Sequence, residues 1–294
     1  MADTCFICGA GEFAEGSPGY RRCAACGHET LVTGQEQVMM VNDDLAAAPA
    51  AAPSRLERFQ GDALDRFTAG RPRGRLLDVG CGAGLFLHWQ GGKYTQAVGL
   101  EISPPSVDYA RRVLGLTVVG DIAAVEAPVD AATAWHSLEH IPADVLSGLL
   151  AGLRARLAPG GCVVVSVPNA ASFQCRWLGG NYAFHDRPAH VHQFAPDSLA
   201  RLFAAHGFVR TGEVVSWPYN TFGWVQGLLN LAMPGHNYVY YRLKRGRPRA
   251  SRARDLACAV LLPFAVLPAL PLALLEALVP ARQAVLTWRF ELRP

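Results

Sequence analysis

The run Leu76-Leu77-Asp78-Val79-Gly80-Cys81-Gly82-Ala83-Gly84 restricts the fold more than any other feature: an apolar strand empties into a turn with glycine at alternate positions, then into a helical stretch. Glycines at such a turn let the backbone take conformations closed to other residues and approach a ligand closely. The unit opens a parallel α/β sheet, and the chain beyond it keeps the alternation. Strands are predicted near Arg75–Val79, Ala97–Glu101, Thr117–Val119, Ala131–Trp135, Cys162–Val167 and Phe208–Val215. Helices are predicted over Leu85–Gln90, Pro105–Leu114, Ala143–Leu157 and Pro196–His206, and Ala284 to Leu292 alternates as a last strand. Trp217 to Arg282 is therefore an insertion between the last two strands. Upstream, Ser54-Arg55-Leu56-Glu57 has the pattern of a capping box, and Leu56, Phe59, Ala63 and Phe67 follow at helical spacing.

The chain of 294 residues suffices for one α/β domain with a minor appendage. Half of it is hydrophobic and only 17% is charged, which excludes a disordered or collagen-like chain. The formal net charge is +3, yet seven basic residues and no acid fall between Arg242 and Arg254, so the rest carries −4. That body lacks the broad basic field of a dedicated nucleic-acid binder. Met1-Ala2-Asp3-Thr4 runs into cysteines without a signal-peptide pattern, so the cysteines are expected to serve cytosolic metal binding and not a disulfide framework.

Cys5-Phe6-Ile7-Cys8-Gly9 and Cys23-Ala24-Ala25-Cys26-Gly27 are matching knuckles. Four thiolates at this spacing can close a tetrahedron around a structural Zn²⁺, which leaves His28 a bystander. The predicted organisation is a zinc ribbon over 1–40, an Ala/Pro linker over 41–53 and an α/β domain over 54–294 that contains the insertion 217–282.

A glycine turn alone does not separate NAD, FAD and S-adenosylmethionine. Asp78, just before the glycines, would repel a pyrophosphate but suits a ligand with an α-ammonium group. Glu101 closes the second strand, where a carboxylate can accept ribose hydroxyls, and Asp121 follows the third, in reach of an adenine amino group. Asp78–Gly84, Gly99-Leu100-Glu101-Ile102-Ser103, Gly120-Asp121-Ile122 and Leu157-Ala158-Pro159-Gly160-Gly161 together resemble the successive motifs of class I S-adenosylmethionine-dependent methyltransferases. The resemblance implies a Rossmann-like seven-stranded sheet in order 3-2-1-4-5-7-6 with the last strand antiparallel. It implies S-adenosyl-L-methionine bound by Asp78, Gly80, Gly82 and Glu101, with Asp121 at the adenine. Gly84, Ile102 and Ile122 belong to the same predicted set, and His136 is placed at the methionine end.

Two clusters are expected on the acceptor side. Trp135-His136-Ser137-Leu138-Glu139-His140 follows the fourth strand, and His185-Asp186-Arg187-Pro188-Ala189-His190-Val191-His192 follows the fifth. His136, Glu139 and His140 are similar to the E-x-x-E-H metal site of ubiquinone-biosynthesis O-methyltransferases, but His136 stands where that pattern has Glu. The resemblance implies a divalent metal at Glu139 and His140, with one carboxylate fewer than the family pattern supplies. His190 is the predicted general base, since imidazole titrates near neutrality, with Glu139 and His140 as its catalytic companions.

Leu256 to Val279 is almost wholly apolar and long enough to span a bilayer, but Pro263, Pro268 and Pro271 interrupt it, and a strand must follow in the sheet. Two short helices in an interfacial hairpin are predicted, with the basic run at anionic head groups. Trp217, Tyr219, Trp224, Tyr238, Tyr240 and Tyr241 are the predicted interface rings. Packing against the domain or a second subunit, as a homo-oligomer, is the alternative. The resulting expectation is a cytoplasmic enzyme, peripheral on the inner face of the cytoplasmic membrane. It would methylate a hydroxyl or carboxyl of a small, lipid-linked or sugar-derived acceptor. An RNA methyltransferase gripping nucleic acid through the ribbon, and a non-catalytic cofactor-binding scaffold, are the competing readings.

Overall fold

The computed structural model describes residues 3–32, 52–186, 189–233, 235–243 and 252–293. Most of the expected linker and Lys244, Arg245, Arg247 and Arg249 lie outside them. A small antiparallel sheet opens the chain: β1 (Phe13–Glu15), β2 (Tyr20–Cys23) and β3 (Glu29–Leu31). Helix α1 (Arg55–Phe67) begins at the anticipated capping box, with the Ser54 hydroxyl accepting from the Glu57 N–H and the Glu57 carboxylate accepting from the Ser54 N–H. Then come β4 (Arg75–Val79), α2 (Leu85–Gln90), β5 (Gln96–Leu100), α3 (Pro104–Arg112), β6 (Thr117–Val119) and β7 (Val129–Trp135). They are followed by α4 (Ala143–Arg156), β8 (Leu157–Pro168), α5 (Phe173–Leu178), β9 (His192–Gln193), α6 (Pro196–Ala205) and β10 (Phe208–Glu213). The insertion holds α7 (Trp217–Ala232), α8 (Tyr238–Leu243) and α9 (Arg252–Ala277), and β11 (Val285–Leu292) completes the fold.

Seven strands form one sheet in the order β6-β5-β4-β7-β8-β11-β10. This is the 3-2-1-4-5-7-6 order, and β11 runs antiparallel to both of its neighbours. Strand β8 is central and covered on both faces, so its apolar run is continuous: Val163, Val164, Val165 and Val167 are all buried. Leu77, Leu150, Phe194, Phe203 and Phe290 extend one face of this core, while Leu64, Phe67, Leu76 and Leu87 pack the other. The parallel strands β4, β5, β7 and β8 point the same way, so the loops after them converge on one edge.

The ribbon is joined to that edge by main-chain bonds. Strand β3 pairs antiparallel with β9, Glu29 opposite Gln193 and Thr30 opposite His192, making a four-stranded sheet from segments over 160 residues apart.

The insertion departs from expectation. Residues 256–277 belong to one helix, α9, with Pro263, Pro268 and Pro271 inside it, and the other arm of the hairpin is α7. A proline inside a helix costs about 3 kcal/mol by local propensity. Tertiary packing overrides this: Ala265, Ala269, Ala273 and Glu276 form the buried stripe of α9 and lie against Trp224, Leu228 and Leu229 of α7.

Candidate active site

The turn after β4 is tied to the end of β5, with the Gly80 and Cys81 N–H groups donating to the Leu100 carbonyl at 2.8 and 3.2 Å. Gly80 has φ +67°, and a Cβ there would fall 2.5 Å from the Ser137 Cβ. Gly82, at φ +53°, faces open space. Of these two, Gly80 lets the loops after β4 and β7 close on each other and Gly82 leaves room for a ligand. Gly84 caps α2 against Leu116.

Glu101 reaches back over this turn. Its Oε2 accepts from the Gly82 N–H, and its Oε1 from the Ile102 and Ser103 N–H groups, all at 2.8 Å. Three of about four lone-pair positions are used, so the carboxylate is pinned at the turn and retains one acceptor site. Ile102 beside it is 67% exposed. Asp121 is exposed, one carboxylate oxygen accepting from the Ala123 N–H. Ile122 packs its side chain on the core beside Gly152, leaving its main chain for any ligand contact.

Asp78 is not a surface acid. It is buried under the turn and accepts a 2.6 Å hydrogen bond from the Thr133 hydroxyl. Burial pushes its carboxyl up to about 7, against the Thr133 bond and assisted by the charge of Glu101. An acid held at its ionisation point under an open glycine turn fits a cationic ligand, which would draw the proton off.

The loop after β7 begins with strain: His136 has φ +51°, a region that non-glycine residues rarely adopt. Its ring lies 4.7 Å from Tyr219 and 5.9 Å from Phe184, centroid to centroid. Its Nδ1 is 3.4 Å from Oε1 of Glu139. Glu139 is fully buried, and neither of its oxygens has a conventional hydrogen-bond partner. Burial pushes this carboxyl up, but contact with His136 and the surrounding imidazoles outweighs it and holds the group at about 2.

His140 and His190 complete the cluster. Glu139, His140 and His190 place one donor atom each within 4.8 Å of one another, although His190 comes from a different loop. The His140 Nδ1 lies 3.0 Å from the Ala189 carbonyl, an acceptor, which puts a proton on Nδ1. His190 is pushed down to about 3 by burial and by neighbouring His140, so its imidazole is neutral at pH 7. Tyr20 of the ribbon donates to the His190 carbonyl at 2.8 Å, and the Val191 N–H donates to the Glu139 carbonyl at 2.9 Å.

The four ribbon cysteines also converge, their sulfurs all within 4.8 Å. Cys5 and Cys26 are 3.7 Å apart and Cys8 and Cys23 3.5 Å, close to the roughly 3.8 Å edge of a tetrahedron with 2.3 Å Zn–S bonds. Gly9 and Gly27, both at positive φ, return their N–H groups to the Cys5 and Cys23 carbonyls and close the two knuckles. His28 stands outside the tetrahedron, buried among Phe6, His192 and Phe194 at the junction with the catalytic domain.

A methyltransferase-domain family model matches residues 53–211, the stretch that carries the glycine turn and both histidine loops. The chain belongs to this family. It is a class I S-adenosylmethionine-dependent methyltransferase with an N-terminal four-cysteine ribbon. Among its relatives is the ubiquinone biosynthesis O-methyltransferase of Xylella fastidiosa (strain 9a5c), 26% identical over 63% of this chain and 73% of that protein. The same-named protein of Xanthomonas campestris pv. campestris (strain B100) is 28% identical over 64% of this chain and 77% of that protein. In fold the chain is similar to the solved cyclase SpnF, with a TM-score of 0.51 at 18% identity over 86% of this chain and 88% of that one.

In the methyltransferase, several aromatic residues expected at a membrane interface are interior. Tyr219, Trp224 and Tyr238 are buried, and of the six rings only Trp217 and Tyr240 are exposed, with Tyr241 between. Tyr219 instead walls the active site, held by Gln60 of α1 at 3.2 Å and by an edge contact with Phe59. Tyr219, Phe184 and Tyr20 went unread as site residues, and sequence spacing carries no signal for them: each reaches the site from a separate element.

Proposed function

We propose that the methyltransferase transfers a methyl group from S-adenosylmethionine to an oxygen of a small, lipid-linked or sugar-derived acceptor at the cytoplasmic face of a membrane. The observation that carries the chemistry is the meeting, at one sheet edge, of the Glu101-pinned glycine turn with the Glu139–His140–His190 cluster. In this reading Gly82, Glu101 and Asp121 bind the nucleoside end, Gly80, Gly84, Ile102 and Ile122 shape its seat, and Asp78 balances the cationic end. The rings of His136 and Tyr219 would face the sulfonium, where aromatic faces favour positive charge. S-adenosylmethionine supplies an electrophilic methyl group, and displacement from it needs an aligned, deprotonated acceptor.

His190 is assigned the acceptor proton. Its neutral ring can take the proton only in concert with methyl transfer, because burial and His140 hold its basicity far below the near-neutral value expected from the sequence, even with Glu139 beside it. The alternative is a divalent cation held by Glu139, His140 and His190, favoured by a buried carboxylate whose oxygens lack protein donors. Such an ion would act as a Lewis acid on the acceptor oxygen. Chelation separates the two: loss of activity restored by Mg²⁺ or Mn²⁺ supports the ion, and indifference supports the base. The ribbon is assigned a structural zinc, because four cysteines leave no open position.

The membrane assignment rests on the outer face of α9. Among the described residues it is the one helix long and apolar enough to cross a bilayer. Its small residues face the protein, while Leu256, Val260, Phe264, Leu267 and Leu274 are more than half exposed. A soluble helix buries the opposite face. Its N-terminal end is tied to α8 through Asp255 with Tyr238 and Arg242 and its C-terminal end to α5 through Glu276 with Gln174, which supports a helix that lies along a surface over one that traverses it. The basic run immediately before it matches anionic head groups.

The deciding experiment offers labelled S-adenosylmethionine with lipid, glycan and RNA fractions to wild type and Glu101→Ala. Label in lipid or glycan with wild type alone is the expected result. Label confined to RNA would overturn the acceptor class, and bound cofactor without transfer to any fraction would overturn the enzymatic reading.

A further inference from the structure

A second recess lies apart from the glycine turn, between the ribbon and the catalytic domain. It encloses about 570 Å³, within the range of small-molecule pockets. One wall is the ribbon, with Ser17 in the turn before β2 and Arg22 on β2; the other is Ala170 and Ala171 after β8, Arg176 on α5 and Arg282 before β11. Three arginines line the recess, and among the described residues no acidic residue does.

The three charges differ in how far they are compensated. Arg22 is paired with buried Glu29 at 2.6 Å, so its charge is offset from below. Arg282 donates to the Ala171 carbonyl at 2.8 Å, a neutral partner that orients the guanidinium and leaves its charge intact. No hydrogen bond or ion pair engages the Arg176 guanidinium among the described residues. Two uncompensated cations thus share one recess, in a chain that is net acidic outside its basic run. Walls of low dielectric concentrate such a field. Planar guanidinium forks suit oxyanions, and a single carboxylate would saturate only one of them.

We infer that this recess binds the phosphate or diphosphate group of the methyl acceptor. The inference rests on the proposed function and narrows its acceptor to a phosphorylated one. Ala170 lies two residues beyond the end of β8, on the sheet edge that also carries the glycine turn after β4. Strands β4 and β8 are separated only by β7, which puts the two edge positions roughly 10 Å apart at ordinary strand spacing. A phosphorylated acceptor held in the recess can therefore extend its reacting oxygen toward the loop after β7. The ribbon contributes Arg22 and the loop around Ser17, so the site exists only with the ribbon docked.

Calorimetry on the full chain tests this with pyrophosphate, orthophosphate and succinate as probes. Pyrophosphate is expected to bind with a Kd below about 1 mM. Arg176→Gln and Arg282→Gln should each weaken it about tenfold, Arg176→Lys less so, with unchanged thermal midpoints. Glu101→Ala should lose S-adenosylmethionine binding and keep pyrophosphate binding, so failure of the cofactor reading is separable from failure of this one. Dispersed short-chain phosphatidic acid assigns the source in the same calorimetry: binding that is lost in Arg176→Gln identifies a lipid phosphate, and no binding, with pyrophosphate still bound by wild type, identifies a soluble phosphorylated acceptor. The inference is overturned by absent pyrophosphate binding, by binding that neither Gln variant alters, or by succinate binding as tightly.

Discussion

At the residue scale, Asp78 joins folding to ligand chemistry. Its carboxyl, raised to about 7 by burial, is protonated in the free protein below that pH. A cationic ligand is matched by the ionised form, so binding must release the proton. Affinity for S-adenosylmethionine should rise about tenfold per pH unit from pH 5 to 7 and level off above, as measured by calorimetry. Asp78→Asn should bind weakly with a flat profile. An equally steep profile in that variant would place the proton elsewhere. Asp78, Glu101 and Asp121 were legible in the sequence because each ends a strand, and strand ends in a parallel sheet share an edge. The trio of Glu139, His140 and His190 was legible only as a list of residue types. Fifty positions separate its two loops, and the contact depends on Tyr20 and β9, which no local pattern encodes.

At the element scale, the insertion shows where local rules lose. Apolar runs located the strands of the large sheet, because burial on both faces leaves little freedom of composition, although β8 begins at Leu157, five residues before its apolar run. The three prolines of α9 pointed to a break that packing on α7 prevents. The same packing buries Glu276, whose carboxyl is raised to about 8 by burial, against its bond from Gln174. The folded state then holds a proton that the unfolded chain releases above its ordinary value of 4.5, so stability falls as pH rises from about 4.5 to 8. Glu276→Gln should flatten that loss: thermal midpoints equal at pH 5 and several degrees above wild type at pH 8.5. The outer face of α9 makes a separate prediction. Phe264→Glu with Leu267→Glu, both about 70% exposed, should abolish flotation on anionic vesicles at an unchanged midpoint. A drop in the midpoint instead would mean that this face packs on protein.

At the scale of the whole molecule, ribbon and catalytic domain form one mechanical unit. The β3–β9 pairing and the Tyr20 bond hold the His190 segment, whereas the glycine turn is held by β5. Stripping zinc, or Cys8→Ser, should therefore lower kcat at least about tenfold while the cofactor Kd stays within about twofold. Equal loss of both would show that the ribbon supports the entire fold. Metal analysis of the untreated protein should return one zinc per chain.

The β3–β9 pairing also has a consequence in time. The ribbon leaves the ribosome ahead of the catalytic domain, yet the strand that completes its sheet lies some 160 residues downstream. At 5–20 residues per second the nascent chain spends roughly 10–30 s with the outer edge of β3 open. For that interval the edge is a template for any passing strand, so the yield of active protein should depend on what shields it during synthesis.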